Sequence, residues 1–406
     1  MEKNLFEGLE CISCHAIFED PELQSCTECG GILTGKYLLE NMRIDIKTRG
    51  QSIWQFKSLF PKVSERNITS MGEGWTPYVR AEKYGNSIGL KHLMCKIEGS
   101  NPSGSFKDRA ASLEISLAKE WNKDGIFTAS SGNAAAAIAA YSSRAGLKSL
   151  ILVREDSTIS KLGQISMYGP DLIRVRNLFS TKQTLFQNLA RLQEFLPRWR
   201  NGFIWAPFNP LLVDALKTIS FEIASVKIPD YIFIPTAGGD LLYGVYKGFE
   251  ELKTMGLIDT LPRMVVVQGE GASPTVEAVR KNLDEVEDTD SSNTIAGALR
   301  VNFGASHALS AVKKTHGFGV TVNDGEILEA QYKLAKKEGI FSEISSVSTL
   351  AAIEKSIHEG KISQDQTVCA ILTGNGFKDY FPAFKELSEV PLYKSIEELD
   401  GGLYKL

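Results

Sequence analysis

From about residue 88 the chain alternates short apolar runs with helix-length stretches, and this alternation limits its architecture more than any other feature. "KHLMCKIE" precedes "DRAASLEISLAKEWNKDG", "IFTA" precedes "NAAAAIAAYSSRAG", and "SLILV" precedes "KLGQISMYG". The order continues through "DLIRVR", "TKQTLFQNLARLQEFL", "NGFIWAP", "DALKTISFEIASV", "YIFIP", "LLYGVYKGFEELKTMG", "RMVVVQGE" and "VCAILTG". Strands separated by helices of roughly 10 to 15 residues connect through right-handed crossovers into a mostly parallel sheet, so the expected class is α/β. In such sheets ligands bind beyond the carboxyl ends of the strands, and the loops there carry the functional candidates. Upstream, "KYLLENMRIDIK" and "QSIWQFKSLFP" read as a strand and a short helix, and residues 282–294 ("NLDEVEDTDSSNT") as a solvated acidic loop.

A chain of 406 residues, 43% of them hydrophobic, can bury a large core. Its net charge of −4 lacks the basic excess that nucleic acid or an anionic membrane demands, so the expected partner is a small molecule. The start "MEKNLFEGLECISC" has no apolar secretory core, and no stretch reaches the roughly 20 apolar residues of a membrane span. The expected location is the cytoplasm. Cys95 and Cys369 sit in apolar runs and read as small buried hydrophobes. The other four cysteines, Cys11, Cys14, Cys26 and Cys29, form C-x2-C-x11-C-x2-C. Two such knuckles complete a tetrahedral thiolate set suited to Zn2+, structural because no coordination position stays open; unliganded thiols or disulfides are the alternative.

Three loops after strands are rich in glycine, hydroxyls and amides: "TASSGN", "PTAGGD" and "TGNG". In "PTAGGDLLYGVYKGF" a strand meets two glycines and a long helix, a receptacle for phosphate or an ordinary turn. It has neither the G-x-G-x-x-G fingerprint nor the Lys-Ser/Thr ending of a nucleotide loop. A fourth loop, "NPSGSFKDR", enters a helix expected to start near Ser105, with Lys107 in its first turn. The dipole disfavours a cation there, which makes Lys107 a candidate nucleophile; pairing with Asp108 or another acid is the plainer reading.

At these residues the chain resembles threonine synthase, of the fold type II pyridoxal phosphate enzymes. The resemblance lies in "GEGWTP" (72–77), "NPSGSFKDR" (101–109), "SSGN" (130–133), "KTISFEI" (217–223) and "TGNGFKD" (373–379), in order from Cys11 to about Tyr380. It implies two three-layer α/β domains with mostly parallel sheets plus a small four-cysteine zinc-ribbon-like module. The implied bounds are 1–36 for the module, 37–113 with 207–406 for the large cofactor-binding domain, and 114–206 for the small domain. It implies that Lys107 joins covalently to pyridoxal phosphate and acts as the base, that Asn133 bonds the cofactor's ring hydroxyl, and that Thr373 faces the ring nitrogen. Ala237, Gly238, Gly239, Asp240 and Leu241 would cradle the cofactor phosphate, and Ser130, Ser131 and Gly132 would receive the substrate carboxylate. A homodimer is implied as well.

The expected activity is that of a carbon–oxygen lyase of amino-acid metabolism, converting O-phosphohomoserine and water to threonine and phosphate. The alternatives are β-replacement or elimination on phosphoserine, serine or threonine, as a cysteate synthase or dehydratase performs, and a non-catalytic protein that binds cofactor or an amino acid. Three departures bear on the choice. Where the family carries Asn-Pro-x-Arg-x-Glu-Gly-Gln-Lys-Thr, residues 209–218 read "NPLLVDALKT", with Leu212 for arginine and Ala215 and Leu216 for Gly-Gln. "TAGGDL" stands for Gly-Asn-Gly-Gly-Asn, putting an anion, Asp240, at the cradle, tolerable there if its side chain caps the helix by bonding backbone N–H groups. "SEISSVSTLAAI" reads as lacking a Glu-Pro.

Overall fold

The structure is a computed structural model, and it describes residues 4–40, 42–157, 159–178, 181–289, 292–304 and 306–379. Strands built of consecutive buried residues set its frame: Gly125–Ala129, Tyr231–Pro235 and Thr367–Leu372 are buried along their whole length. A strand apolar on both faces must be covered by helices on both sides, the signature of parallel sheets. The largest sheet runs Phe318–Val322, Arg263–Gly269, Tyr231–Pro235, Thr367–Leu372, His92–Ile97, Tyr78–Arg80. All its pairs are parallel except the edge pair Tyr78–Arg80 with His92–Ile97. A second sheet, Asp171–Val175, Lys148–Arg154, Gly125–Ala129, Trp199–Asn201, is wholly parallel. The α/β expectation is borne out. "NGFIWAP" forms no strand beyond Asn201: Gly202 N–H makes a last bond to the Phe127 carbonyl (2.7 Å), and residues 205–208 turn away.

The first forty residues make a three-stranded antiparallel sheet, Ile17–Phe18, Phe6–Cys11, Leu33–Tyr37, with "QSIWQFKSLFP" forming the tight helix Ile53–Leu59. A buried ion cluster docks this sheet onto the body. Lys247 donates to the Thr34 hydroxyl (3.0 Å) and the Gly35 carbonyl and pairs with Asp214 (2.9 Å), while Lys217 pairs with Glu251 (2.9 Å) beneath the Tyr37 ring. The acidic loop is exposed through Asp288, but its end turns inward: Thr294 is buried and donates to Asp324 (2.7 Å). Cys95 and Cys369 are buried on neighbouring strands, as expected.

A second buried ion cluster lies under the start of the helix Lys107–Glu120. The Arg109 guanidinium grips Glu98 through Nε and Nη2 (2.8 Å each) and Glu222 through Nη1 and Nη2 (2.5 and 2.9 Å). Lys96 closes the set on Glu222 (2.5 Å), and Thr76 and Thr218 fill the remaining contacts. Burial alone would raise the Glu222 carboxyl, but Arg109 and Lys96 outweigh it and bring it to about 2. Two positive and two negative side chains cancel, which makes their removal from water tolerable. Arg109→Ala leaves both carboxylates buried with one cation between them. The expected loss is about 3–5 kcal/mol in denaturant-unfolding stability; a loss under about 1 kcal/mol would contradict this account of the cluster.

Candidate active site

Lys107 follows a loop that the chain pins from across the sheet. Gly104 holds φ +89°, a backbone that favours glycine, and its carbonyl accepts from Asn375 N–H (2.9 Å). Phe106 N–H donates to the Thr373 carbonyl (3.0 Å), so the "NPSGSFKDR" and "TGNG" loops are laced together. The helix itself begins at Lys107 rather than Ser105, which leaves the lysine at the first position. Asp108 does not pair with it. That carboxylate turns back to accept from the Ser103 N–H (2.6 Å) and hydroxyl, and burial pushes it up to about 7. The half-buried Lys107 amine lies 4.8 Å from the Phe106 ring; burial lowers its pKa, with the charges of Asp240 and Glu343 opposing.

Glu343 ties two of the other candidate loops to this point. Asn133, first residue of the helix Asn133–Ala145, donates through Nδ2 to its Oε2 (2.9 Å), and the Thr373 hydroxyl donates to its Oε1 (2.7 Å). Ser346 lies 2.8 Å from the Thr373 hydroxyl and accepts from Gly374 N–H (3.0 Å). Burial raises the Glu343 pKa first, and Asp379 adds to the rise. Glu343 is followed by Ile344, not by a proline. Beside Asn133, the Ser130–Gly132 turn leaves open space: nothing lies within 4 Å of a side chain built at Gly132. Gly132 N–H folds onto the Ser130 hydroxyl (3.2 Å), and Ser131, Asn133 and Ala134 N–H have no partner among the described residues.

The fourth loop joins Tyr231–Pro235 to the helix Asp240–Thr254 through Gly239, at φ +96°. Among the described residues, no hydrogen bond uses the N–H groups of Ala237, Gly238, Gly239, Asp240 or Leu241, which cluster at the positive end of the helix. Asp240 does not cap that helix, contrary to expectation. Its Oδ1 accepts from Ala206 N–H (2.9 Å) and lies 3.2 Å from Nε2 of the buried His307, on the helix Ser306–Lys314. The buried carboxylate turns toward those partners, and no acceptor among the described residues takes the turn's N–H groups. Leu212 is fully buried in the helix Leu212–Leu216, among the apolar core. The side chain at position 212 offers no charge.

These groups fit pyridoxal phosphate. Lys107 could join its aldehyde, the Ala237–Leu241 turn could hold its phosphate, and Asn133 and Thr373 offer an amide and a hydroxyl to its ring. Glu343, Ser346 and His307 escaped the sequence reading. The first two lay in "SEISSVSTLAAI", whose missing proline drew notice instead, and nothing near "ASHALS" marks His307. The ligand atoms of Cys11, Cys14, Cys26 and Cys29 all lie within 4.8 Å of one another. Cys11 and Cys29 Sγ are 3.5 Å apart and Cys14 and Cys26 Sγ 3.6 Å, a spacing that thiolates sharing one ion adopt.

The sequence profile of the pyridoxal-phosphate dependent enzymes matches residues 69–374. A threonine synthase of Methanocaldococcus jannaschii is 34% identical over 94% of this chain and 95% of its own. One of Methanosarcina acetivorans is 34% identical over 91% of this chain and 92% of its own. Among solved structures, maize serine racemase superposes with a TM-score of 0.62 at 22% identity, over 74% of this chain and 88% of that one, a likeness of fold. A chain with this profile match and these end-to-end relatives belongs to the pyridoxal-phosphate dependent enzymes, among the threonine synthase-like carbon–oxygen lyases.

Proposed function

We propose that the chain converts O-phosphohomoserine and water to threonine and phosphate. The observation that carries this reading is similarity to threonine synthases over more than nine-tenths of both chains, at 34% identity. The geometry supports it. When bound, pyridoxal phosphate supplies an electron sink that makes the proton on the substrate's α-carbon removable. Lys107, its proton affinity lowered by burial, holds the cofactor and then serves as the base at that carbon. Ser130, Ser131 and Gly132 receive the substrate carboxylate at the positive end of the Asn133–Ala145 helix. Asn133 orients the ring through its hydroxyl, and Thr373 meets the ring nitrogen with a hydroxyl. A hydroxyl holds no proton there as a carboxylate would, so the outlet for charge is expulsion of a leaving group. Ala237, Gly238, Gly239, Asp240 and Leu241 hold the cofactor phosphate.

Leu212 favours a second reading. A buried leucine in place of arginine removes the planar fork that grips a substrate phosphate, which would suit β-elimination or replacement on phosphoserine, serine or threonine. We place the enzyme in the cytoplasm as a homodimer, with the small domain at 114–206, the large one at 37–113 and 207–406, and the metal module at 1–36. No helix among the described residues is long and apolar enough to cross a membrane.

Mixing the yellow protein with O-phosphohomoserine, O-phosphoserine, serine and threonine separates the readings. The expected outcome is a spectral shift and phosphate release with O-phosphohomoserine, lost by at least about 100-fold in Lys107→Ala. Ammonia release from serine or threonine would favour the second reading, and a colourless protein neither. Zn2+ is expected on the four thiolates, a single ion per chain. Cys14→Ser, at an exposed ligand, is expected to lower zinc content measured by mass spectrometry and the melting temperature together. A wild-type protein purified without zinc, equally stable in chelator, would refute the metal site.

A further inference from the structure

The cofactor cradle contains a carboxylate of its own. Asp240 is the first residue of the Asp240–Thr254 helix, beside the turn's N–H groups that no acceptor among the described residues uses. A phosphate dianion seated there meets an anion at close range, and only a compensating charge nearby would cancel the repulsion. Among the described residues, His307 is the ionisable group in direct contact with the Asp240 carboxylate. Its ring is wholly buried, with Nε2 3.2 Å from Asp240 Oδ1 and Nδ1 without any hydrogen-bond partner among the described residues. It also forms a wall of the turn: a Cβ added to Gly239 would come within 3.4 Å of its Cε1 and 3.5 Å of its Nε2.

The other ionisable groups around this pair are engaged elsewhere or carry no charge. Tyr243 meets the imidazole edge-on at 5.3 Å, and burial holds its phenol up at about 12. Lys247, on the same helix, is consumed by Asp214 and Glu251. On the histidine's own helix Lys313 pairs with Asp284, and Lys314 lies over the Tyr246 ring. On the packed helix Pro274–Arg280, Glu277 and Arg280 pair with each other (2.9 Å). From the strand Arg263–Gly269, Arg263 reaches the Tyr231 hydroxyl, and Gln268 is neutral. Lys107 remains, close enough to Asp240 to interact with its charge.

We propose that His307 and Asp240 form a proton-accepting pair that matches the cradle to its ligand: His307 takes a proton from solvent onto Nδ1 when a phosphate dianion binds at Ala237–Leu241. The resulting imidazolium offsets Asp240, so the phosphate meets the helix end and the free N–H groups without a competing anion. His307 is thus a positioning residue, acting through Asp240. The inference rests on the proposed role of the Ala237–Leu241 turn.

The test is calorimetry on the full chain stripped of cofactor, titrated with pyridoxine 5'-phosphate, which cannot bond covalently to Lys107. The titrations run in two buffers of different ionisation enthalpy, at mildly alkaline pH, where the phosphate monoester is already a dianion. Wild type is expected to take up roughly one proton per bound ligand. His307→Gln is expected to take up none and to bind about tenfold more weakly, the order of one uncompensated charge. Asp240→Asn is expected to bind without proton uptake, and Asp240→Asn combined with His307→Gln to recover wild-type affinity, a rescue that loss of a merely structural histidine would not allow. The inference is overturned if wild type takes up no proton, or if uptake survives in His307→Gln, which would assign the proton to Lys107. It is equally overturned if Asp240→Asn fails to rescue. Should pyridoxine 5'-phosphate bind no better than pyridoxine, the cradle itself is misassigned and the inference falls with it.

Discussion

Two cations and two carboxylates shut away from water fix where Lys107 stands. Lys96 and Glu98 come from the end of one strand and its exit, Arg109 from the first turn of the Lys107 helix, and Glu222 from a helix more than a hundred residues later. An apolar core of the same volume could be as stable, but apolar contacts slide, whereas a bidentate guanidinium has one geometry. The cluster sits two residues from the lysine, so a displaced Arg109 moves the start of the helix. A neighbouring knot reaches the Asn133 helix: buried Glu73 accepts from Ser112 on the lysine's helix (2.7 Å) and from Tyr141 (2.8 Å) on the Asn133–Ala145 helix. The two helices whose first residues face the site are thereby held to one another.

Above that base the chemistry is decided by a balance of burial against charge. Burial favours the neutral form of Lys107, while Glu343 and Asp240 pull the other way. Each of these carboxylates is occupied: Glu343 by the Asn133 amide and the Thr373 hydroxyl, Asp240 by Ala206 N–H and His307. Their negative charge is therefore directed into protein partners and only in part onto the amine. The same arrangement leaves two helix ends, at Asn133 and Asp240, with N–H groups that no acceptor among the described residues uses. Anionic groups are the natural ligands of such ends. Two of them, flanking one amine of lowered proton affinity, suit a reaction that brings together a phosphorylated cofactor and an amino-acid carboxylate.

Much of this was legible in the sequence because parallel sheets write themselves in local terms. Fully buried strands such as "YIFIP" and "VCAIL" are continuous apolar runs, and the loops after them hold glycine and hydroxyls because the backbone must turn and present donors there. Thus Lys107, Asn133, Gly239 and Thr373 were found as motif residues before any contact was known. The partners that tune them were not, since Glu343, Ser346 and His307 act through distances that no local pattern encodes. Glu343 and Asn133 are 210 residues apart, and Asp240 and His307 67. Asp108 beside Lys107 illustrates the reverse error: adjacency suggested a pair, but the first turn of a helix points successive side chains in different directions. Asp240 misled similarly, its capping role refused because two tertiary donors were nearer.

The central claim is that one amine, at the first position of a helix and partly removed from water, is the attachment point of the cofactor. Reducing the cofactor-loaded protein with borohydride, digesting it and sequencing the peptides by mass spectrometry tests this directly. The account predicts a pyridoxyl phosphate mass on the peptide that contains Lys107 and on no other. A label on a different lysine, or none on a protein that binds the cofactor tightly, would contradict it.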